Sequence, residues 1–295
     1  MAVCAAGRSG AVKDKNGGSC WMNTAVSAEH ALREGDVALA LRLLQASVRN
    51  HPGDVRLRTF LFQLLAVCGQ WERALAQLGV VAELDAAALP MAQMYKEVVR
   101  CELLRAEVFA GKRSPLIFGE PEPWLALLIE SLLTAGQGRL EAAEDLRARA
   151  FDEAPATPGE IDGQPFAWLA DSDMRLGPVC EAVIHGRYYW LPFDRLARIS
   201  LDPPADLRDF VWMPAHFTFS NGGEGAGVIP TRYPGSDAQD DGLLMLARRS
   251  EWTEVRAGVF HGLGQRVLTT DGGDFPLLDV RQIVLASTAE GEEGG

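Results

Sequence analysis

From Val26 to Asp85 the chain twice repeats one pattern of small and large apolar positions. Superposing Gly35 on Gly69 puts Ala40 on Ala74, Leu44 on Leu78 and Ser47 on Val81. The offset of 34 residues is the period of a tetratricopeptide helix pair. Gly35-Asp36 and Gly69-Gln70 then supply the turns inside each pair, while His51-Pro52-Gly53-Asp54 stops one pair and caps the next. A third copy starts at Gly138, with Ala143, Ala150 and Pro155 at the offsets that Ala40, Ser47 and Pro52 hold from Gly35. Between the copies, MAQMYKEVVRCELLRAEVFAG keeps Met94, Val98, Cys101, Leu104, Ala106 and Val108 at helical spacing. Gly111 to Pro115 and Gly119 to Pro123 read as a surface loop ahead of a helix beginning near Trp124.

Beyond Pro155 the helical period fades and glycine, proline and aromatic residues increase. Short β-like runs follow: CEAVIH, RYYWLP, FVWMPAHFTFS, GAGVIPTRY, GLLMLAR, TEVRAGVFHG, QRVLTT and LLDVRQIVLA. Turn signals such as Asn221-Gly222-Gly223 and Asp271-Gly272-Gly273 separate them. Such close spacing favours antiparallel pairing over βαβ units. Phe193 to Ile199 reads as a short helix, cut off from the next strand by Pro203-Pro204. The expected fold class is α+β in two domains. A TPR-like helical repeat spans 24–155, and a mainly antiparallel β domain with one or two helices spans 156–286. Residues 1–23 and 287–295 read as a disordered extension and tail. The stretch Met1 to Trp21 reads as lying ahead of a natural start at Met22.

Most apolar positions of the repeats simply hold neighbouring helices together. Collectively, stacked helix pairs curve and leave a concave face suited to a peptide or helix. Charge narrows the partners. With 28 Lys and Arg against 40 Asp and Glu, the net charge of −12 opposes non-specific binding to nucleic acid or an anionic membrane. No apolar run reaches the length of a membrane helix. Cys4, Cys20, Cys68, Cys101 and Cys180 form no C-x-x-C pair, which suits a reducing compartment.

Catalytic signatures are sparse. His185, His216 and His261 sit in or beside β-like runs, with no H-E-x-x-H or H-x-x-x-H spacing to hold zinc. The glycine-rich loop from Asn221 to Gly227 lacks the Lys-Ser/Thr of a phosphate loop and reads as a wide hairpin turn. Ser236 to Gly242 offers carboxylates without a calcium-loop alternation. No nucleophile elbow is present, and no cofactor is expected. One enzymatic reading competes: a composite acid/base or metal site from His185, Asp194 and His216, since a sheet can gather distant residues. The other unusual feature is the density of aromatics and arginines at Arg187, Tyr188, Tyr189, Trp190, Trp212, Arg232 and Tyr233. Strand alternation sends Tyr188 and Trp190 to one face and Tyr189 to the other. Trp190 and Trp212 are therefore expected in the core, with Arg187, Tyr189, Arg232 and Tyr233 as exposed anchors for a partner.

The ordered blocks GPVCEAVIHGRYYWLPFDRLARI, PADLRDFVWMPA, PTRYPGS, LARRSEWTEV and GQRVLTTDGGDFPLLDVRQI resemble the ImpE/SciE-type family, also called TagJ, of bacterial type VI secretion accessory proteins. The likeness runs from about Val26 to Ala286, with Ala247 standing where the family pattern suggests glycine. The resemblance implies a cytoplasmic, non-catalytic adaptor. Its implied partner is the small sheath subunit TssB, held through that subunit's N-terminal helix, with assistance to the ClpV ATPase in sheath recycling.

Overall fold

The computed structural model describes residues 27–256 and 258–286. The expected extension and tail, with Cys4, Cys20 and Met22, lie outside these residues. Helix α1 (described over 27–33), α2 (Val37–Asn50), α3 (Val55–Val67) and α4 (Trp71–Leu84) form two consecutive pairs. A long α5 (Leu89–Phe109) follows, and after strand β1 (Leu116–Ile117) a further pair, α6 (Pro123–Gly136) and α7 (Leu140–Glu153). The glycines that set the repeat register, Gly35, Gly69 and Gly138, all take left-handed backbone, with φ of 82°, 62° and 78°. That is the conformation a helix-ending turn requires and glycine reaches without a Cβ clash. Asp36 caps α2 through Leu39 N, and Asp54 caps α3 through Arg56 N and Leu57 N.

The change from helix to strand falls between Glu153 and Gly159. Strands β2 (Gly159–Ile161), β3 (Gln164–Phe166), β5 (Val179–Ile184), β6 (Arg187–Pro192), β7 (Leu196–Leu201), β8 (Trp212–Phe219), β9 (Glu224–Pro230) and β14 (Gln282–Leu285) join β1 in a nine-stranded sheet. Its order is β1-β6-β5-β9-β8-β7-β14-β2-β3. Pairing is antiparallel except where β1 runs parallel to β6. Strand β4 (Leu169–Asp171) pairs with β12 (Val267–Thr270) and β13 (Gly273–Pro276), while β10 (Ser250–Arg256) and β11 (Val259–Gly264) form a separate ribbon.

Three readings of local sequence change here. GLLMLAR contains a short helix, α8 (Gly242–Met245), because the Asp241 carboxylate accepts from Leu243 N and starts a turn. Phe193 to Ile199 is not a helix. A 3₁₀ turn at Phe193–Arg195 passes into β7, whose Leu196, Ile199 and Leu201 are buried in the sheet. The loop before Trp124 is not purely surface, since Leu116 and Ile117 pair with Tyr189 and Trp190.

Both sheet faces are covered. Val179, Val183, Tyr188, Trp190, Trp212 and Val228 pack with the helices, while the alternate residues Cys180, Ala182, Leu191, Met213 and Ala215 enter a second core beneath. The helical half and the sheet therefore share one apolar core. The segment from Ser236 to Gly242 completes the contact. A Cβ on Gly242 would lie 1.8 Å from the Gly35 carbonyl oxygen, and one on Gly69 would lie 1.9 Å from Asp237 Oδ2.

Candidate functional site

A carboxylate organises the seam between helices and sheet. In β5 the residues facing the helices are Val179, Glu181 and Val183, so strand alternation drives one charged group into an apolar layer. Such a charge persists only if paired. Arg105 of α5 supplies Nε at 2.7 Å from Oε1 and Nη2 at 3.0 Å from Oε2. Arg266 donates to Oε2 and to the Asp171 carboxylate, and the Tyr188 hydroxyl donates to Oε1. Burial alone would raise the Glu181 carboxyl, but the charges of Arg105 and Arg266 outweigh it and hold it at about 2. Burial wins at Asp171, pushing its carboxyl up to about 6 against the pull of Arg266. The two tryptophans join this network: Trp190 Nε1 donates to the Tyr188 hydroxyl at 2.8 Å, and Trp212 Nε1 to Glu102 of α5 at 2.8 Å.

Arg232 and Tyr233, expected as exposed anchors, are instead buried at 5% and 1% exposure. Arg232 reaches across the seam and donates to the carbonyls of Ala66 and Val67 at the end of α3, at 3.2 and 2.7 Å, and to Met245 O. These carbonyls belong to the last turn of a helix, where internal donors run short, and a cation suits that end of the dipole. Tyr233 donates its hydroxyl to Val267 O and receives Val267 N at 2.9 Å. The other two expected anchors differ. Arg187 is exposed, whereas Tyr189 is half-buried with its ring edge-on to Phe118 at 5.6 Å.

His185 and His216 come to one cleft, of about 700 Å³, between α5 and the helix-facing side of β5, β9 and β8. His185 and Gly186 form the two-residue turn of the β5–β6 hairpin, with φ of 50° and 71°. Two successive positive φ values define the hairpin turn that matches strand twist. Cys101 of α5 donates its thiol to Gly186 O at 3.3 Å, and a Cβ on Gly186 would stand 3.0 Å from Glu97, so the turn is seated against the helix. Asp194 lies elsewhere, at the far end of six-residue β6, where burial and the neighbouring Glu122 charge raise its carboxyl. The composite set of His185, Asp194 and His216 is thus not assembled. His261 is separate again, its ring lowered to about 4 by burial and then by Arg175. Burial pushes the thiols of Cys68, Cys101 and Cys180 up to about 11, 12 and 12. Among the described residues no group of three or more His, Cys, Asp or Glu could hold a metal.

A family model described as ImpE protein matches residues 163–284. Over 259 residues the chain is 49% identical to the type VI secretion system accessory component TagJ of Pseudomonas aeruginosa, covering 88% of this chain and 91% of that protein. The chain belongs to the ImpE/TagJ family. Its fold is also that of protein VPA1032 from Vibrio parahaemolyticus, solved by X-ray crystallography: TM-score 0.81 and 25% identity, over 88% of this chain and 98% of that one.

In this ImpE/TagJ chain the blocks that carry the resemblance are largely structural. GRYYW brings Tyr188 and Trp190 to the buried carboxylate, and RYPGS brings the arginine that caps α3. Ala247, where glycine is expected, has φ of 52° and no exposed surface. Sequence reading missed Glu181, Arg105, Arg266 and Asp171. One signal was available: Glu181 is the lone charge in the apolar run VCEAVI, and Arg105 shares a helix face with Val98, Cys101 and Val108. Among the described residues no helix is long and apolar enough to cross a membrane.

Proposed function

We propose that the chain is a non-catalytic adaptor of a type VI secretion machine, holding the small sheath subunit TssB by its N-terminal helix and assisting ClpV-dependent sheath recycling. The observation that carries this reading is identity of 49% across 88% of the chain to a type VI secretion accessory component. The fold has the means to hold a helix. Stacked helix pairs meet a sheet along open grooves, and the chemistry-bearing side chains at the seam are engaged in holding the two halves together. Arg187 is exposed with no hydrogen-bond or ion-pair partner among the described residues, free to contact a bound protein.

Titrating the purified chain with TssB, and with TssB lacking its first helix, tests the reading. A saturable complex that disappears with the helix is expected. Equal binding of both forms, or of neither, removes TssB's helix as the ligand. An unchanged rate of ClpV-driven sheath disassembly on adding the chain removes the recycling role.

A further inference from the structure

We propose that residues 116–122 form a proton-latched strap over one end of the nine-stranded sheet: a proton shared between Asp194 and Glu122 holds the strap down, and its loss loosens the strap and uncovers β6. The device is independent of which protein the chain binds.

The strap has few attachments. Leu116 and Ile117 pair with Tyr189 and Trp190 as β1, the last strand at that end of the sheet. Two residues of pairing are too little to hold a segment by themselves. Phe118 adds an apolar contact, its ring stacked on Phe219 at 4.5 Å and edge-on to Tyr189, yet it stays 38% exposed. Gly119 follows with a left-handed φ of 85°, and the run ends at Glu122, where α6 starts. Glu122 is thus the polar anchor of the strap.

The anchor brings two carboxyl groups together. Arg195 donates Nε and Nη2 to Glu122 Oε1 at 3.0 and 2.6 Å, and Trp124 Nε1 donates to Oε2 at 2.9 Å. All three donors go to Glu122. Asp194, next to Arg195 in the turn between β6 and β7, has its side chain in hydrogen-bond contact with Glu122. Its Oδ1 is buried with no hydrogen-bond partner among the described residues. Two carboxyl groups share a hydrogen bond only with a proton between them, and the placement of the donors assigns it. Glu122 is the carboxylate, and Asp194 is the acid that donates to it. An ionised Asp194 would leave a buried charged oxygen without a donor, which is costly.

The electrostatics agree with the donor placement. Burial and then the Glu122 charge raise the Asp194 carboxyl against the pull of Arg195. Burial alone would raise Glu122 too, but the hydrogen bonds from Arg195 and Trp124 outweigh it and hold that carboxyl low. The charged groups facing Asp194 are Glu122 from the strap and Arg195 from its own turn. Because its folded value lies above the ordinary 3.8, Asp194 contributes fully below 3.8 and loses that contribution as pH rises through the raised value. Glu122 stays ionised throughout that rise. Beyond it, two carboxylates face one guanidinium, and the strap is left with β1 and the Phe118 ring as its undisturbed contacts.

Amide hydrogen exchange of the full chain, followed by mass spectrometry between about pH 4.5 and pH 8 and corrected for the intrinsic rate, tests the latch. In the wild type, protection of residues 116–122 should fall at least about threefold as pH rises, and the β6 amides paired with β1 should follow, while α2 stays unchanged. Asp194→Asn gives Glu122 an amide donor at every pH, so its strap should stay protected across the range. Asp194→Ala should leave the strap loose across the range. Carbon-13 spectra of the carboxyl groups should show Asp194 titrating after Glu122; this measurement uses the wild type alone and decides even where a variant fails to fold. Protection that ignores pH, a pH response that survives in Asp194→Asn, or Asp194 titrating at or before Glu122 would overturn the proposal.

Discussion

Arg105 on α5 and Glu181 on β5 form a two-pronged ion pair at 2.7 and 3.0 Å, with both side chains buried and 76 positions of chain between them. Removing one partner of a buried pair costs far more than the pair contributes, because a desolvated charge is left behind. Glu181→Gln leaves Arg105 with Glu102 as its one carboxylate partner among the described residues, beside the Arg232 carbonyl, and is expected to lower stability by about 3–5 kcal/mol in urea melts.

The same carboxylate sets an acid limb. Its folded value, about 2, lies below the ordinary 4.5, so its contribution is complete above pH 4.5 and is lost as pH falls toward 2. Asp171 runs the other way. Raised from 3.8 to about 6, it contributes below pH 3.8 and loses that contribution as pH rises through 6. Urea midpoints measured from pH 7 to pH 2 should fall steeply below 4.5 in the wild type and less so in Glu181→Gln.

Trp190 and Trp212 are fully buried, each with its indole N–H satisfied. Truncating either to alanine should cost about 3–5 kcal/mol, read as a lower denaturation midpoint. Arg187→Ala, on the exposed strand start, should stay within about 0.5 kcal/mol of wild type. A tryptophan variant that melts like the wild type would contradict the packing.

Arg232→Lys tests the helix cap. A guanidinium fork serves carbonyls of α3 and α8's last residue together, and a lysine ammonium cannot reproduce that geometry. A loss of about 1–3 kcal/mol is expected. Because the cap joins the helical half to the sheet, calorimetry should show the variant's unfolding moving as one transition. Two separated transitions would show the halves melting independently.

Ala247→Gly removes the Cβ that makes left-handed backbone costly, a penalty of about 1–2 kcal/mol for other residues. Glycine's greater freedom in the unfolded chain offsets part of the gain. The midpoint temperature should hold or rise, whereas Ala247→Val should lower it sharply at this fully buried position.

The helix pairs were legible because their turns demand glycine: Gly35, Gly69 and Gly138 announce left-handed backbone, and the residues between them keep helical spacing. Most β runs were legible too, marked off by Asn221-Gly222-Gly223 and Asp271-Gly272-Gly273. GLLMLAR and Phe193 to Ile199 misled because a short apolar run has no period to separate helix from strand. Arg232 and Tyr233 misled for another reason. An arginine beside a tyrosine has the composition of a docking anchor, and only tertiary structure shows that its fork is occupied by the end of another helix. The cleft residues His185 and His216 were visible as individual histidines, but their meeting depends on the β5-β9-β8 strand order, which short runs do not specify.

The two ends of the nine-stranded sheet carry a different consequence. At one end lies β1, only two residues long and running parallel; at the other is β3, three residues with Pro165 at its centre. Short outer strands and a proline blunt the row of unpaired amides that would otherwise recruit another strand. A protein whose proposed work is among many copies of a polymerising subunit thus carries a sheet that is a poor template for further growth.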